Sequence, residues 1–359
     1  MYAWHQRARR GLTALAVLAT TLLATAGCSS VSPESGGDDK PYTIGFSNTL
    51  LSQEPRVQML EGLKAAAQPY IDAGKLAPIV EEVANTDVQG QVRQIQSLMN
   101  RQVDCIVLTA SSVTGLNPIL TQAMAQGIKV IVMDNFIDLE GVINVGADYR
   151  GNFERDARWV MDQMGGQGKL LRVDGIAGYP ADQLGIDAVN AARADNPGVD
   201  IAGTLNGDWD TATAVQVTSS WLAAGNVPDG VWASGGGVAY GVLQSLLSAN
   251  VNPLPAINGE GSVGWLRLAA KTKASHPDFN IYSANLIQPQ GIGSAALQVA
   301  MEVLENGSQP KESKPLLLPV LEITNDNYQQ LIDKSANLPD SATYSGDLVT
   351  REQALNLWF

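Results

Sequence analysis

The feature that most constrains the fold is an alternation of short apolar runs with amphipathic segments, which begins at residue 42. In one of the intervening segments Val88, Val92, Ile95 and Met99 recur at helical spacing, which predicts an amphipathic helix. Apolar strands that alternate with such helices indicate a parallel, doubly wound α/β sheet. The predicted strands of this first half are residues 42–46, 79–83, 105–108 and 130–133, and its helices are residues 55–73, 88–99 and 116–126.

The same alternation of apolar runs with amphipathic segments begins again after residue 142. The chain therefore contains two consecutive α/β halves joined near Val145–Tyr149. More than one core is also expected from the length, because single cores stop growing beyond about 250–300 residues. Residues 335–359 carry no clear pattern. The predicted strands of this part are residues 143–145, 169–173, 201–205, 231–233, 256–258, 280–284 and 316–323, and its helices include 150–164, 291–305 and 325–333.

The N-terminus has the organisation of a bacterial export signal. A basic stretch that ends at Arg10 precedes an uncharged segment, residues 11–26, and then Gly27 and Cys28. This order of charged, apolar and small residues is typical of a secretory signal. The Cys after Ala-Gly resembles a lipobox, although Thr25 stands where Leu is usual. We therefore expect a lipoprotein signal peptide at 1–27, lipidation of Cys28, a flexible tether at 28–40, and an extracytoplasmic protein anchored by lipid to the outer face of the cell membrane.

Composition narrows the classes of function. The formal net charge is −13, which opposes nucleic-acid binding because that needs basic surfaces. Cys28 and Cys105 are the two cysteines of the chain, so a lipidated Cys28 leaves no pair for a disulfide. Cys105 lies in an apolar run and is expected to be a core residue.

Catalytic and metal-binding interpretations find little support. The two histidines are His5, within the predicted signal, and His276, in a turn-like stretch, so no zinc site or Ser-His-Asp triad is expected. The chain has neither a phosphate-binding loop of the Gly-x4-Gly-Lys type nor a Gly-x-Ser-x-Gly elbow. We therefore expect no enzyme activity, no metal and no cofactor.

One glycine-rich segment keeps an alternative open. Residues 235–241 follow a predicted strand and open a helix, and Glu260 ends the next strand, where a dinucleotide fold places its ribose-binding acid. An extracytoplasmic oxidoreductase of the NAD type is therefore an alternative. Its weakness is the spacing, which is Gly-x-Gly-x3-Gly and not Gly-x-Gly-x2-Gly.

Polar residues follow the predicted strands in both halves. In open parallel sheets, ligands bind beyond the carboxyl ends of the strands. Carboxylates, carboxamides and a guanidinium suit a ligand covered in hydroxyls, and an aromatic face can cover a sugar ring. Each residue alone could equally be a turn or a helix cap. The candidate ligand-binding residues are Asn48, Arg56, Asp134, Asn135, Asp182, Trp209, Gly235, Glu260 and Asn285.

Several of these stretches resemble the type I periplasmic sugar-binding proteins, the ribose- and galactofuranose-binding receptors of ABC importers. The resemblance runs from Tyr42 to Asn306. It implies that Asp134 and Arg56 grip sugar hydroxyls, that Trp209 supplies an aromatic face, and that Glu260 is the acid that ends a late strand. The stretches that carry the resemblance are Ile44–Asn48, Val130–Asn135, Gly175–Gly178, Gly207–Asp210 and Pro289–Gly293.

The chain also departs from this family pattern. Asn135 and Gly185 stand where the family usually has sugar-gripping Arg residues, and Gly235 stands where it has Asn. An aromatic residue expected near Pro55 is missing. The resemblance therefore implies a roomier and less cationic pocket, suited to a larger or differently substituted sugar than ribose.

The resemblance further implies two lobes joined by a three-segment hinge, with crossings near Val145–Tyr149, Asn285–Gln288 and Leu316–Val320. Lobe 1 would be residues 41–146 plus 287–317, and lobe 2 residues 147–286 plus 318–359. A monomer would bind a small-molecule sugar between the lobes and deliver it to an ABC permease with its ATPase. A sugar-sensing receptor for a signalling kinase is a further alternative, because it would use the same closure.

Overall fold

The structure is a computed structural model, which describes residues 40–49, 54–284, 288–312, 314–344 and 346–359. Cys28, the predicted signal and the predicted tether up to residue 39 lie outside these residues, as does Asn285. Its strands and helices along the chain are β1 (Ile44–Asn48), α1 (Glu54–Asp72), β2 (Val80–Val83), α2 (Val88–Asn100), β3 (Cys105–Thr109), α3 (Asn117–Ala125), β4 (Lys129–Met133), β5 (Val142–Gly146), α4 (Tyr149–Gln163), β6 (Gln167–Asp174), α5 (Pro180–Asp195), β7 (Gly198–Asn206), α6 (Thr211–Ala223), β8 (Gly230–Ala233), α7 (Val238–Ser248), β9 (Ala256–Ile257), α8 (Val263–Ser275), β10 (Tyr282–Ser283), α9 (Pro289–Asn306), β11 (Leu316–Leu317), β12 (Ile323–Thr324), α10 (Tyr328–Lys334) and α11 (Arg351–Trp358).

Two parallel sheets form the centres of two lobes. The first sheet has the strand order β11-β5-β4-β3-β1-β2, and the second has the order β7-β6-β8-β9. Every pairing within these two sheets is parallel. The prediction of two doubly wound α/β lobes is confirmed.

The central strands of each sheet are buried on both faces, which explains why β3, β4 and β8 are nearly continuous apolar runs. In the first lobe, Cys105 and Val107 of β3 contribute to one core, formed with α1 and α9. Ile106 and Leu108 of β3 contribute to the opposite core, formed with α2 and α3. Alternate residues of a strand point to opposite faces, so one strand supplies both cores. The second sheet is covered in the same way, by α4 and α5 on one face and by α6, α7 and α8 on the other.

The chain passes between the lobes at three points before its C-terminal tail. β5 lies in the first sheet, whereas α4 after it packs in the second lobe. β10 belongs to the second lobe, and α9 after it lies in the first, with residues 285–287 of that passage outside the described ranges. β11 pairs with β5 of the first sheet, and β12 after it pairs antiparallel with β10.

The structure corrects the C-terminal part of the sequence prediction in two ways. The strand predicted at 316–323 is two short strands in different sheets, β11 and β12, separated by a segment with Pro319. Proline has no N–H to donate to a ladder, so one continuous strand is disfavoured there. The tail predicted to belong wholly to lobe 2 makes a fourth passage, because Ala354 and Trp358 of α11 are buried in the core of lobe 1.

Asp156 on α4 anchors the start of the second passage. Its carboxylate accepts a hydrogen bond from the backbone N–H of Ala284 at 2.6 Å, and Asn258 Nδ2 lies 3.4 Å away. Burial raises the pKa of Asp156 well above its ordinary value, and these hydrogen bonds offset the rise only in part. An acid whose pKa is higher in the folded state stabilises most below its unfolded pKa, and this stabilisation is lost as the pH rises through the folded pKa.

We therefore expect the stability advantage of the wild type over Asp156→Asn to grow as the pH is lowered from about 8 to about 5. Urea unfolding of both proteins at several pH values measures this difference. The variant removes the titrating group and keeps a side chain of the same shape. An advantage that shrinks toward acid pH would contradict the assignment.

Candidate functional site

A cavity of about 560 Å³ lies between residues that follow the strands of both lobes. Its first-lobe lining comes from the start of α1 and the turn after β4, and its second-lobe lining from the turns after β6, β7, β8 and β9. This is the place where open parallel sheets bind ligands. The lining residues are Pro55, Arg56, Met59, Asp134, Asn135, Tyr149, Phe153, Tyr179, Ala181, Trp209, Asp210, Thr211, Ser234, Gly236, Gly237, Tyr240, Gly261, Ser262, Asp340, Ser341 and Thr343.

A buried ion pair lies at the first-lobe side of the cavity. The Arg56 guanidinium contacts the Asp134 carboxylate, and the Tyr149 hydroxyl donates a hydrogen bond to the same carboxylate. Burial by itself would lower the pKa of Arg56, but the charge and hydrogen bond of Asp134, together with the nearby Tyr149 and Tyr179, outweigh it and the pKa is raised. Burial and the Asp134 charge both raise the pKa of Tyr149 well above its usual value. The arrangement offers charged acceptors and donors side by side, as neighbouring hydroxyls of a sugar require.

The backbone of the turn after β4 fixes the position of Asp134. Asp134 has a φ of 72°, and its N–H donates to the carbonyl of Val145 at 3.0 Å. Asp tolerates this left-handed conformation better than most residues do. The next residue, Asn135, also lines the cavity, and its Nδ2 donates to the carbonyl of Ala110 at 2.9 Å. The turn therefore holds both predicted residues at the cavity.

Trp209 forms an aromatic wall on the second lobe. It is half-buried and meets Tyr179 edge to face, with ring centroids 5.6 Å apart. Two glycines make room for the indole. A Cβ at Gly175 would lie 2.2 Å from Cε2 of Trp209, and one at Gly236, whose φ is 64°, would lie 3.0 Å from the Trp209 Cβ. The glycine-rich segment after β8 therefore leaves the space that the Trp209 side chain occupies.

Glu260, a candidate ligand-binding residue, is buried behind the cavity and does not face it. Its carboxylate is 1% exposed and does not line the cavity. It accepts hydrogen bonds from the N–H groups of Gly237 and Ala239, at 2.8 and 3.1 Å, and from the Ser262 hydroxyl at 2.5 Å. Burial raises the pKa of Glu260, and these bonds act against the rise. The N–H groups at the start of α7, which would hold a dinucleotide phosphate, are therefore already occupied by a side chain of the protein.

Three other predicted residues lie beside the cavity without lining it. Asp182 is buried and accepts from the N–H of Gly175 at 2.7 Å, and burial raises its pKa. Asn48 is fully buried, and its Oδ1 accepts from the Thr109 hydroxyl at 2.9 Å. Gly235 has a φ of 86° and leads into Gly236, which does line the cavity. These residues support the turns around the cavity.

Other lining residues were absent from the sequence prediction. Tyr149 follows β5 and Tyr179 follows β6, so the rule of strand ends could have found both. Phe153 and Tyr240 lie on helices, where their aromatic character alone predicts a core position. Asp340, Ser341 and Thr343 come from a stretch with no pattern, and no signal in the sequence pointed to them.

The part of the chain that the structure describes contains neither a cluster of metal ligands nor a candidate membrane span. Within the described ranges no three His, Cys, Asp or Glu side chains come together as a possible metal site. In the same ranges no helix is both long and apolar enough to cross a bilayer. Cys105 is fully buried, and burial raises the pKa of its thiol strongly, as expected of a core residue.

Comparison with known proteins decides the family. The model of a family described as periplasmic binding protein domain matches residues 44–309. The chain belongs to this family. The resemblance drawn from the strand ends is confirmed. Family members are substrate-binding proteins, and solute binding for an ABC importer fits these comparisons better than the oxidoreductase or the sensory receptor.

Individual relatives are distant but cover most of the chain. A xylitol-binding protein of Mycolicibacterium smegmatis is 25% identical over 274 residues, which are 75% of each chain. The ribose import binding protein of Bacillus subtilis is 23% identical over 290 residues, 80% of this chain and 90% of that one. An ABC transporter solute-binding protein from Thermobispora bispora superposes with a TM-score of 0.72 at 24% identity, covering 88% of this chain and 94% of the other. At this identity the structural likeness shows the fold.

Proposed function

We propose that the chain captures a sugar or related polyhydroxylated solute in this cavity and delivers it to an ABC permease and its ATPase. The observation that carries the proposal is the joining, in one interlobe cavity, of the Arg56–Asp134 pair with the aromatic face of Trp209. Charged groups bind adjacent hydroxyls, and aromatic faces cover the C–H face of a ring or polyol. Relatives named for xylitol and ribose binding support this ligand class.

The mechanism that follows is closure of the two lobes over the ligand. Contacts made from both sides of a cleft favour the closed form over the open one, and only this difference in affinity can shift the equilibrium. The permease would then read the closed form. We propose further that the protein is a monomer without enzyme activity, located outside the cytoplasm and tethered by a lipid at Cys28. The export signal and the lipobox-like sequence support the tether.

A thermal-shift screen against D-ribose, D-xylose, xylitol, D-galactose and myo-inositol tests the proposal. A ligand at 100 times its dissociation constant adds about 2.7 kcal/mol to the stability of a protein that binds it only when folded. The purified protein should therefore melt at a higher temperature with at least one of these compounds. The absence of any shift, together with a shift on adding NADH, would favour the oxidoreductase.

The charge of the lining predicts discrimination against anionic ligands. Among the described lining residues, Arg56 is the single basic side chain, and it is already paired with Asp134. Asp210 lines the same cavity and would repel a phosphate or carboxylate, whereas the charge of Asp340 is paired with Arg267. We expect calorimetry to show that ribose 5-phosphate binds at least about tenfold more weakly than D-ribose. The pair xylonate and xylitol provides a second comparison, and tighter binding of the anion in either pair would contradict this reading of the lining.

A further inference from the structure

The C-terminal stretch 339–344, which we name the C-terminal wall, is fixed to the second lobe by backbone hydrogen bonds. The N–H of Val263 donates to the carbonyl of Ala342 at 2.8 Å, and the N–H of Gly264 donates to that of Asp340 at 2.9 Å. The N–H of Tyr344 donates in turn to the carbonyl of Gly261 at 2.7 Å. The wall is therefore held against the turn before α8, whose residues Gly261 and Ser262 line the cavity.

Arg267 on α8 fixes the approach to the wall. Its guanidinium donates to the Asp340 carboxylate at 2.5 Å and to the carbonyls of Ser335, Ala336 and Leu338 at 3.0–3.2 Å. The Arg267 side chain therefore donates hydrogen bonds to four acceptors in residues 335–340, which have no regular secondary structure. This anchoring gives the backbone of the wall a defined position beside the cavity.

The face of the wall toward the cavity is polar. Three of its residues line the cavity and supply a carboxylate and two hydroxyls, namely Asp340, Ser341 and Thr343. The wall also reaches the first lobe, because Gln58 on α1 donates from Nε2 to the carbonyl of Thr343 at 3.1 Å. Gln58 is 4% exposed, and α1 carries Arg56 two residues earlier. The wall therefore closes the space between the first helix of lobe 1 and the second lobe.

Beyond the wall the chain is anchored in lobe 1. The N–H of Val349 donates to the Ser294 hydroxyl at 2.8 Å. Arg351 is paired with Glu302 at 2.7 Å and with Glu305 at 2.5 Å. Trp358, at 7% exposed, is buried with the core of α1 and α9. Both ends of the wall are thus fixed, although the whole segment lies beyond residue 309, where the family match ends.

We propose that the C-terminal wall is a ligand-contacting element that sets which polyhydroxylated solutes this protein accepts. The inference rests on the proposed function and deepens it. Asp340, Ser341 and Thr343 present oxygen acceptors and hydroxyl donors to ligand hydroxyls that the Arg56–Asp134 pair does not reach. Because the family match ends before this stretch, selectivity at this side of the cavity is a property of the chain's own C-terminus.

Calorimetry with D-ribose, D-xylose, xylitol, D-galactose and myo-inositol tests the inference on the purified protein. Ser341→Phe adds bulk at an exposed position of the wall and should weaken the larger ligands, galactose and inositol, about tenfold relative to xylitol. Asp340→Asn and Thr343→Val remove a charge and a hydroxyl and should change the order of affinities within the panel. Asn337→Phe is the matched control, because Asn337 is exposed two residues before the wall and does not line the cavity.

The outcomes separate the two proposals. A changed order of affinities in the wall variants, with the wild-type order kept in Asn337→Phe, supports the inference. If Ser341→Phe does not fold, as judged by its melting curve, Asp340→Asn and Thr343→Val decide the result. The inference is overturned if every wall variant that folds keeps each affinity within about twofold of the wild type. A wild type that binds no member of the panel overturns instead the proposed function on which the inference rests.

Discussion

Replacing Asp134 with Asn is expected to lower the free energy of unfolding by about 3–5 kcal/mol and to weaken sugar binding about 10–100-fold. The first effect arises because Arg56, whose side chain is 9% exposed, would keep its charge without a counter-charge. The second arises because a charged acceptor for ligand hydroxyls is lost. Asn is chosen since it tolerates the left-handed backbone at this position, where φ is 72°. Urea unfolding measures the first effect, and calorimetry with the best ligand of the panel measures the second.

The double variant Arg56→Met/Asp134→Asn separates the two effects. It removes both charges, so most of the lost stability should return, since buried ion pairs are often replaceable by apolar groups without loss. Sugar binding should remain weak, because the guanidinium and the carboxylate that would hydrogen-bond to the ligand hydroxyls have been removed. The exposed pair Lys64–Glu81 provides a comparison, and Glu81→Gln should cost about 0–1 kcal/mol. Wild-type affinity in the double variant would remove the Arg56–Asp134 pair from the ligand contacts.

The fold was predictable because its signals are local and repeated. Strands such as β3 and β4 are buried on both faces and therefore appear as continuous apolar runs, and α2 shows its apolar face at helical spacing. The C-terminal stretch could not be predicted in this way. Its position depends on contacts such as Arg267 with Asp340, which lie 73 residues apart and leave no periodic pattern. The break between β11 and β12 had a local signal in Pro319.

The candidate site was predictable in part. The position of a residue after a strand predicts that it lies near the site, but it does not predict whether its side chain lines the cavity or stabilises the turn. Arg56, Asp134 and Trp209 follow strands and line the cavity. Glu260 and Asp182 also follow strands, but their carboxylates accept backbone N–H groups within the second lobe. An acid after a strand is suited to both uses, and only the direction of its side chain distinguishes them. The sequence carries no information on that direction.

Replacing Trp209 with Ala is expected to weaken binding of the panel's tightest-binding sugar or polyol about 10–100-fold, because burial of a large aromatic face contributes about 1.5–3 kcal/mol. The indole lies at the cavity with Tyr179 against its edge, and Gly175 and Gly236 leave room for it. Trp209→Phe keeps an aromatic face and should retain a larger part of the affinity. Calorimetry of both variants with the best ligand of the panel gives the two values.

Trp221→Ala is the matched control for this prediction. Trp221 lies on α6, is partly buried against the same core as Trp209, and does not line the cavity. Both substitutions remove an indole from the edge of one hydrophobic cluster, so both should lower the melting temperature. Only Trp209→Ala should change the affinity, because only its ring faces the ligand. An equal loss of affinity in the two variants would show that the effect comes from general weakening of the second lobe, and Trp209 would then lose its place among the ligand contacts.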